Sequence, residues 1–387
     1  MSKIGILTFH YADNCGAQLQ LTALYRYLEE LGFEPEIIDY RSKQLLRRNS
    51  IIQNPFYRAQ VGWHSEAVLI KKIRKACGGI LFAFKYNLKF IRVLKIHRNF
   101  EKYKHTHPLR ISQRIKTVKE LEELSHNYSY IIVGSDQVWN VEFYNGIIDK
   151  VYFLQSSNID CKKIGYAVSA GNNLRVKPSQ VKELIDRFDC FSVREQQLAT
   201  QIEGITGKKV PVVLDPVFLY DKEYWSKYCG EGIKGNYIFL YVLEDNFELL
   251  NIIERIKAVY GLDIEVVEVG YKKLYSKSIL VNQFEPGVFL RLIKDAKFIV
   301  TNSFHATAFS IIFEKDFYTL RHSTRNNRME SLLSKLHLSE RNITNSKEIN
   351  MCPIDYEMVK IYLDKKIQYS ISYLINSCKG DMLNGDV

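Results

Sequence analysis

Five short polar segments carry residue types from which a reaction could be built, and each stands just after an apolar run. The first is Phe9-His10-Tyr11-Ala12-Asp13-Asn14-Cys15-Gly16. A loop here, entering a helix, can aim backbone N–H groups and the helix's positive end at an anion. Gly16 permits close backbone approach, and Asn14 adds a polar side chain. The same residues also describe an ordinary Asx-type turn and helix cap. The second is Val133-Gly134-Ser135-Asp136-Gln137-Val138-Trp139-Asn140. There Asp136 can orient a hydroxyl or take its proton, and Trp139 offers a flat apolar face on which a sugar can pack. A capping Asp and a core Trp are the alternative. In the third, Phe191-Ser192-Val193-Arg194-Glu195, the planar fork of Arg194 can clamp a carboxylate or phosphate, or simply pair with Glu195 at the surface. The fourth is Thr301-Asn302-Ser303-Phe304-His305-Ala306-Thr307-Ala308-Phe309-Ser310. It joins a strand to a helix with Asn302 or Ser303 as N-cap and His305 in the first turn. His305 is either a proton donor beside a bound anion or a buried, hydrogen-bonded core residue. The fifth gathers Arg321, Arg325 and Arg328, with His322 among them. These guanidiniums can hold a dianion or form a solvated basic loop.

Elements that position these segments follow from the apolar pattern. Strand-like and helix-like runs alternate along the chain, the signature of α/β architecture with parallel sheets. Lys3–Phe9, Glu36–Tyr40, Tyr130–Gly134, Ile164–Ser169, Cys190–Val193 and Val210–Leu214 read as strands. Ala17, Leu21, Leu24, Leu28 and Leu31 recur at helical spacing before Gly32. Asp215-Pro216 breaks the first series, and a second begins at Tyr237–Leu243, Ile264–Val269, Phe298–Thr301 and Phe317–Leu320. The expected organisation is two Rossmann-like α/β domains facing a central cleft. Residues 1–210 form the first, with a basic helical insertion at about 41–128, and 211–387 form the second, whose last helix can pack back on the first. The cleft lies between the carboxyl ends of both sheets, which is where all five segments fall.

The chain excludes several classes. There is no GxGxxG after the first strand, no Walker loop, no HExxH and no nucleophile elbow. No metal-ligand spacing stands out, so no tightly bound catalytic metal is expected. Seven scattered cysteines with no CxxC pair point to reduced thiols and a cytoplasmic setting. No apolar run reaches membrane-spanning length, and the amino terminus reads as a strand rather than a signal peptide. The net charge of +11 is concentrated, because residues 67–110 hold twelve Lys or Arg and one acid, Glu101. Apolar residues interleave with those cations, as in Ile70-Lys71-Lys72-Ile73-Arg74-Lys75. Such helices can lie on an anionic leaflet, peripheral on the inner face of the membrane, or pack on the first domain with a solvated basic face. No RNA- or DNA-binding motif accompanies them, so nucleic acid is not the expected partner.

In order along the chain, Gly5–Gln20 (with His10, Asn14, Gly16 and Gln20), Gly134–Asn140, Ser192–Glu195, Leu214–Pro216 and Asn302–Phe313 resemble the polysaccharide pyruvyltransferase family. The resemblance spans roughly residues 3–330, and Cys15 departs from it where members often carry an aromatic. It implies a GT-B-like fold and phosphoenolpyruvate as donor substrate, with no further cofactor. The implied acceptor is a sugar of a surface polysaccharide or a lipid-linked glycan precursor, and the product is a pyruvate ketal with release of phosphate. It also implies catalytic and donor-binding roles for His305 and Arg194. Ketal chemistry needs a general acid for the donor's methylene, assigned to His305. It also needs cations for the carboxylate and phosphate, assigned to Arg194, Arg321, Arg325 and Arg328, and a base for the hydroxyl, assigned to Asp136 or His10. The competing readings are a GT-B-type glycosyltransferase using a nucleotide sugar and a non-catalytic scaffold of a glycan assembly complex.

Overall fold

A computed structural model describes residues 2–64, 68–233, 236–243, 246–260, 265–270, 273–321, 327–350 and 352–379. Strands β1 (Lys3–Leu7), β2 (Glu34–Ile37), β3 (Tyr130–Gly134), β4 (Lys162–Val168) and β5 (Cys190–Val193) form a parallel sheet in the order β2-β1-β3-β4-β5. Strands β6 (Tyr237–Tyr241), β7 (Glu265–Glu268), β8 (Ile279–Leu280), β9 (Phe298–Thr301), β10 (Phe317–Leu320) and β11 (Asn342–Ile343) form a second, in the order β11-β10-β9-β6-β7-β8. Helices cover both faces of such sheets, which is why the strands read as unbroken apolar runs. Ile131, Ile132 and Val133 of β3 are all fully buried, as are Ile299 and Val300 of β9.

The segment Val210–Leu214, which reads as a strand, is not one. It meets the first sheet through a single bridge, Val193 with Val212, and leads into the turn Pro216–Leu219. Among the described residues, five helices lie between β2 and β3, at Lys43–Arg48, Pro55–His64, Leu69–Asn87, Phe90–Thr106 and Val118–Ser125. The last helix, Tyr356–Lys379, returns to the first sheet. The Tyr166 hydroxyl donates to Ser370 O, and Tyr373, Leu374 and Cys378 share a core with Ile4, Ile6 and Leu24.

Besides that last helix, two others among the described residues join the halves. In Cys15–Glu30, Leu21, Leu24 and Leu28 pack on the first sheet, while Cys15, Leu19 and Ala23 share a core with Phe289, Phe304 and Phe309 of the second half. Burial on both sides covers residues 15–25 all round, and only the last turns, with Arg26, Glu29 and Glu30, reach solvent. Helix Phe90–Thr106 adds Ile96 and Phe100 to the same core. Its Arg92 donates to Gly270 O at 2.7 Å, Val281 O at 2.9 Å and Asn282 Oδ1 at 2.8 Å. No helix among the described residues is long and apolar enough to cross a membrane.

Candidate active site

The ends of β1, β3 and β9 converge, with residues of the insertion, on a cavity of about 410 Å³. Tyr11, Asp13 and Asn14 line it from the first loop, Asp136 and Gln137 from the second, and Asn302, Ser303, Phe304 and His305 from the fourth. Arg48 and Arg58 of the insertion and Arg328 complete its cationic lining.

Local sequence explains each placement. Asn14 is in extended conformation and its Oδ1 accepts from Ala17 N at 3.1 Å, capping the first helix. Gln18 pins the loop by donating to His10 O at 2.6 Å and Ala12 O at 3.1 Å. Asp136 takes a left-handed φ of 60°, which short polar residues tolerate best. Its backbone carbonyl accepts from Ser169 N at 3.1 Å and its own carboxylate accepts from Gln137 N at 2.8 Å. Ser303 caps helix Phe304–Ile312, so that helix's N-terminal turn faces the cavity.

Beneath the cavity lies a buried charge cluster centred on Asp215. Its Oδ2 accepts from Arg194 Nη1 and from Ser135 Oγ at 2.9 Å, and lies 3.5 Å from His305 Nε2. Its Oδ1 accepts from Val217 N at 3.1 Å. Burial alone would raise the Asp215 carboxyl, but Arg194, and after it His305, outweigh that and hold it well below the usual carboxylate range. Arg194 Nη2 stands 4.0 Å from Asp136 Oδ1, and its guanidinium lies 4.4 Å from the Phe304 ring centroid. Arg328 reaches the same ring at 5.8 Å. Arg194 itself is 4% exposed, with Nε and Nη2 lacking hydrogen-bond partners.

His305 belongs to the second half but rests against the first. A Cβ added to Gly16 would sit 2.7 Å from His305 Cε1 and closer still to Nδ1 and Cγ. Gly16 therefore supplies the room in which the imidazole stands, rather than a contact to the cavity.

Four further sequence assignments need correcting. Arg194, expected to clamp the donor, lies beneath the cavity bound to Asp215 and is not part of its lining. Trp139 is fully buried, donates its indole N–H to Tyr152 O at 3.1 Å and stacks on Phe153, so its face is core and not open to a sugar. His10 does not line the cavity, because its Nε2 is bound to Asp39 Oδ1 at 2.9 Å. For Asp39, burial would raise the carboxyl, but His10 and Arg41 bring it down to about 2. Arg321 is exposed and away from the cavity. Arg325 and His322 lie outside the described residues.

Asp13 is the residue whose role the sequence did not suggest. Its Oδ2 accepts from His97 Nδ1 at 2.8 Å, while Oδ1 is buried without a hydrogen-bond partner. Burial raises its pKa, against the opposing pull of His97 and Lys104. Asp13, His97 and Glu101 place ligand atoms within 4.8 Å of one another and could hold a metal ion, a grouping that chain separation hides. Glu101 is paired with Lys104 at 2.9 Å.

Two α/β halves, a cavity at their strand ends and a buried Arg–Asp–His cluster beneath it give the layout of a two-domain α/β enzyme. A sequence profile of polysaccharide pyruvyl transferases matches residues 14–324, and the chain belongs to that family. It is thus an enzyme of polysaccharide pyruvylation. No curated protein matches the chain in sequence. Among solved structures, one from Listeria monocytogenes assigned as a UDP-N-acetylglucosamine 2-epimerase is similar at 10% identity and a TM-score of 0.50, covering 99% of this chain and 97% of that one. S. aureus MnaA with UDP gives 13% and 0.47 over 100% and 99%, and the E. coli heptosyltransferase WaaC with ADP gives 12% and 0.39 over 94% and 99%. At 10% identity the likeness to the Listeria structure shows the fold alone, which is of the GT-B type.

Proposed function

We propose that the enzyme transfers pyruvate from phosphoenolpyruvate to two hydroxyls of a glycan sugar, forming a ketal and releasing phosphate. The observation that carries this reading is a cavity walled by Arg48, Arg58 and Arg328 with His305 at its base, backed by Arg194 and Asp215. A small trianion fits such a lining, and a proton donor stands beside it. The donor's methylene first takes a proton, leaving an oxocarbenium-like C2. One sugar hydroxyl adds there and loses its proton; phosphate then departs and the second hydroxyl closes the ring, losing its own. Of the two protons released, one replaces that given to the methylene and one leaves with phosphate.

His305 is the proposed acid. Its Nε2 lies 3.5 Å from Asp215 Oδ2, which helps orient the ring, and the imidazole lines the cavity beside Ser303 and Phe304. Among the carboxylates lining the cavity, Asp13 suits the base role better than Asp136. Its Oδ1 is unpartnered, its Oδ2 is fixed by His97, and its raised pKa strengthens it as a base. Asp136 faces Arg194 and helps fix it.

Enzymes of this architecture that act on nucleotide sugars supply the competing reading. Thermal-shift titration with phosphoenolpyruvate against a panel of nucleotide sugars separates the two. Stabilisation by phosphoenolpyruvate, with turnover lost about a hundredfold or more in a folded His305→Gln variant, is expected. Stabilisation by a nucleotide sugar alone would overturn the proposal.

A further inference from the structure

Helices Pro55–His64 and Leu69–Asn87 form a hairpin with an inner and an outer face. They cross closely because two glycines meet the facing backbone. A Cβ at Gly62 would lie 2.6 Å from the Lys75 carbonyl carbon, and one at Gly79 would lie 2.7 Å from that of Arg58. The inner face reaches the active site, where Arg58 and Tyr86 line the cavity together with Val93 of the next helix.

The outer face is inverted relative to an ordinary surface helix. Ile70, Ile73, Cys77, Ile80, Leu81 and Phe84 recur at i, i+3, i+7, i+10, i+11 and i+14, a single stripe along the helix. That stripe normally faces a core, yet here it faces solvent. Ile70 is 79% exposed, Leu81 54% and Phe84 59%, and Leu88 and Ile91 extend the line at 87% and 83%. Exposed Lys71, Arg74 and Lys85 stand beside it. There is no acid between Glu66 and Glu101, a stretch holding nine Lys or Arg.

A contiguous apolar stripe of this kind marks a contact surface, and the charges select its partner. A second copy docked through the same stripe would set cations against cations, with no acid on the helix to relieve them. An anionic lipid surface meets both needs, with acyl chains for the stripe and headgroups for the flanking cations. Arg92 takes no part, because its guanidinium is bound to Gly270, Val281 and Asn282.

We propose that the outer face of this hairpin docks on an anionic bilayer, and that its inner face thereby holds the active-site cavity where a lipid-linked acceptor is presented. Docking stands on the hairpin alone; the consequence for the acceptor rests on the proposed pyruvyl transfer.

The test is co-sedimentation of the whole protein with vesicles of phosphatidylglycerol and phosphatidylcholine, against phosphatidylcholine alone, across a salt series. Binding to the anionic vesicles that weakens with salt is expected. Arg74→Gln with Lys85→Gln should lower it roughly twenty- to thirtyfold. An Ile70→Ser, Leu81→Ser, Phe84→Ser variant should lose it while keeping the wild-type melting temperature, since all three side chains are exposed. That triple variant should turn over a soluble acceptor normally and a vesicle-borne one poorly. No binding to anionic vesicles at low salt, or equal binding to neutral ones, overturns the proposal. So does a dimer that the triple variant dissolves. Vesicle binding without pyruvyl transfer to either acceptor would instead refute the functional reading and leave docking standing.

Discussion

Gly16→Ala isolates the geometry on which the site depends. The added methyl would come within 2.7 Å of His305 Cε1 and nearer to Nδ1 and Cγ, whereas relaxed contacts need about 3.5 Å. Because Nδ1 and Cγ are nearer still, the imidazole must move by more than about an ångström. A displacement of that size can cost about a hundredfold in turnover. Stability should change far less. Overpacking costs about 1–3 kcal/mol, but Gly16 sits within the first turn of helix Cys15–Glu30, where alanine gains about 0.5–1 kcal/mol over glycine. The net loss is then about 2.5 kcal/mol or less. Steady-state kinetics with thermal melts reads both quantities. A double-mutant cycle adds the sign: once His305→Ala has emptied the space, Gly16→Ala should raise the melting temperature instead of lowering it. A Gly16→Ala enzyme with wild-type turnover, or a penalty that persists in the His305→Ala background, would show that Gly16 does not place this imidazole.

Asp215→Asn takes from the buried Arg194 its closest charge partner, leaving Asp136 at 4.0 Å, and should cost about 3 kcal/mol, read by denaturant melts. The Asp215 carboxyl is held below its unfolded value of about 3.9. The stability it lends is thus full above that pH and lost as pH falls below it, so the variant should be weaker at neutral pH with a flatter acid limb. Asp13→Asn should lower kcat by about a hundredfold or more. Because burial raises the Asp13 carboxyl and a base must be ionised, wild-type activity should fall as pH drops through that raised value, a limb absent from the variant's pH profile. Arg194→Lys keeps the charge but loses the fork that holds Asp215 beneath His305, and should lower kcat on the order of tenfold with acceptor KM little changed.

Much of the architecture was legible because parallel strands covered on both faces appear as short apolar runs, as at β1, β3, β6 and β9. The two-residue strands β8 and β11 carry no such signal, and Val210–Leu214 carries it without pairing into a strand. Asn14, Asp136, Ser303, His305 and Arg328 could be singled out because polar residues after buried strands stand out, and they line one cavity. What was hidden depends on long-range packing. Asp215 looks like a chain break until Arg194, Ser135 and His305 are brought to it. Trp139 shows its burial only through Phe153 and Tyr152, and His10 its engagement only through Asp39, 29 residues away. Arg48 and Arg58 come from the insertion, whose charge gave no hint that its inner face walls the cavity.

The most direct test of pyruvyl transfer is a reaction in D2O with phosphoenolpyruvate and lipid-linked glycans, read by mass spectrometry. The expected product carries one added pyruvyl ketal whose methyl holds a single deuterium from solvent, with one phosphate released per transfer. A glycan left unchanged by phosphoenolpyruvate but extended by a sugar from a nucleotide sugar would contradict the account, as would a transferred pyruvyl methyl free of deuterium.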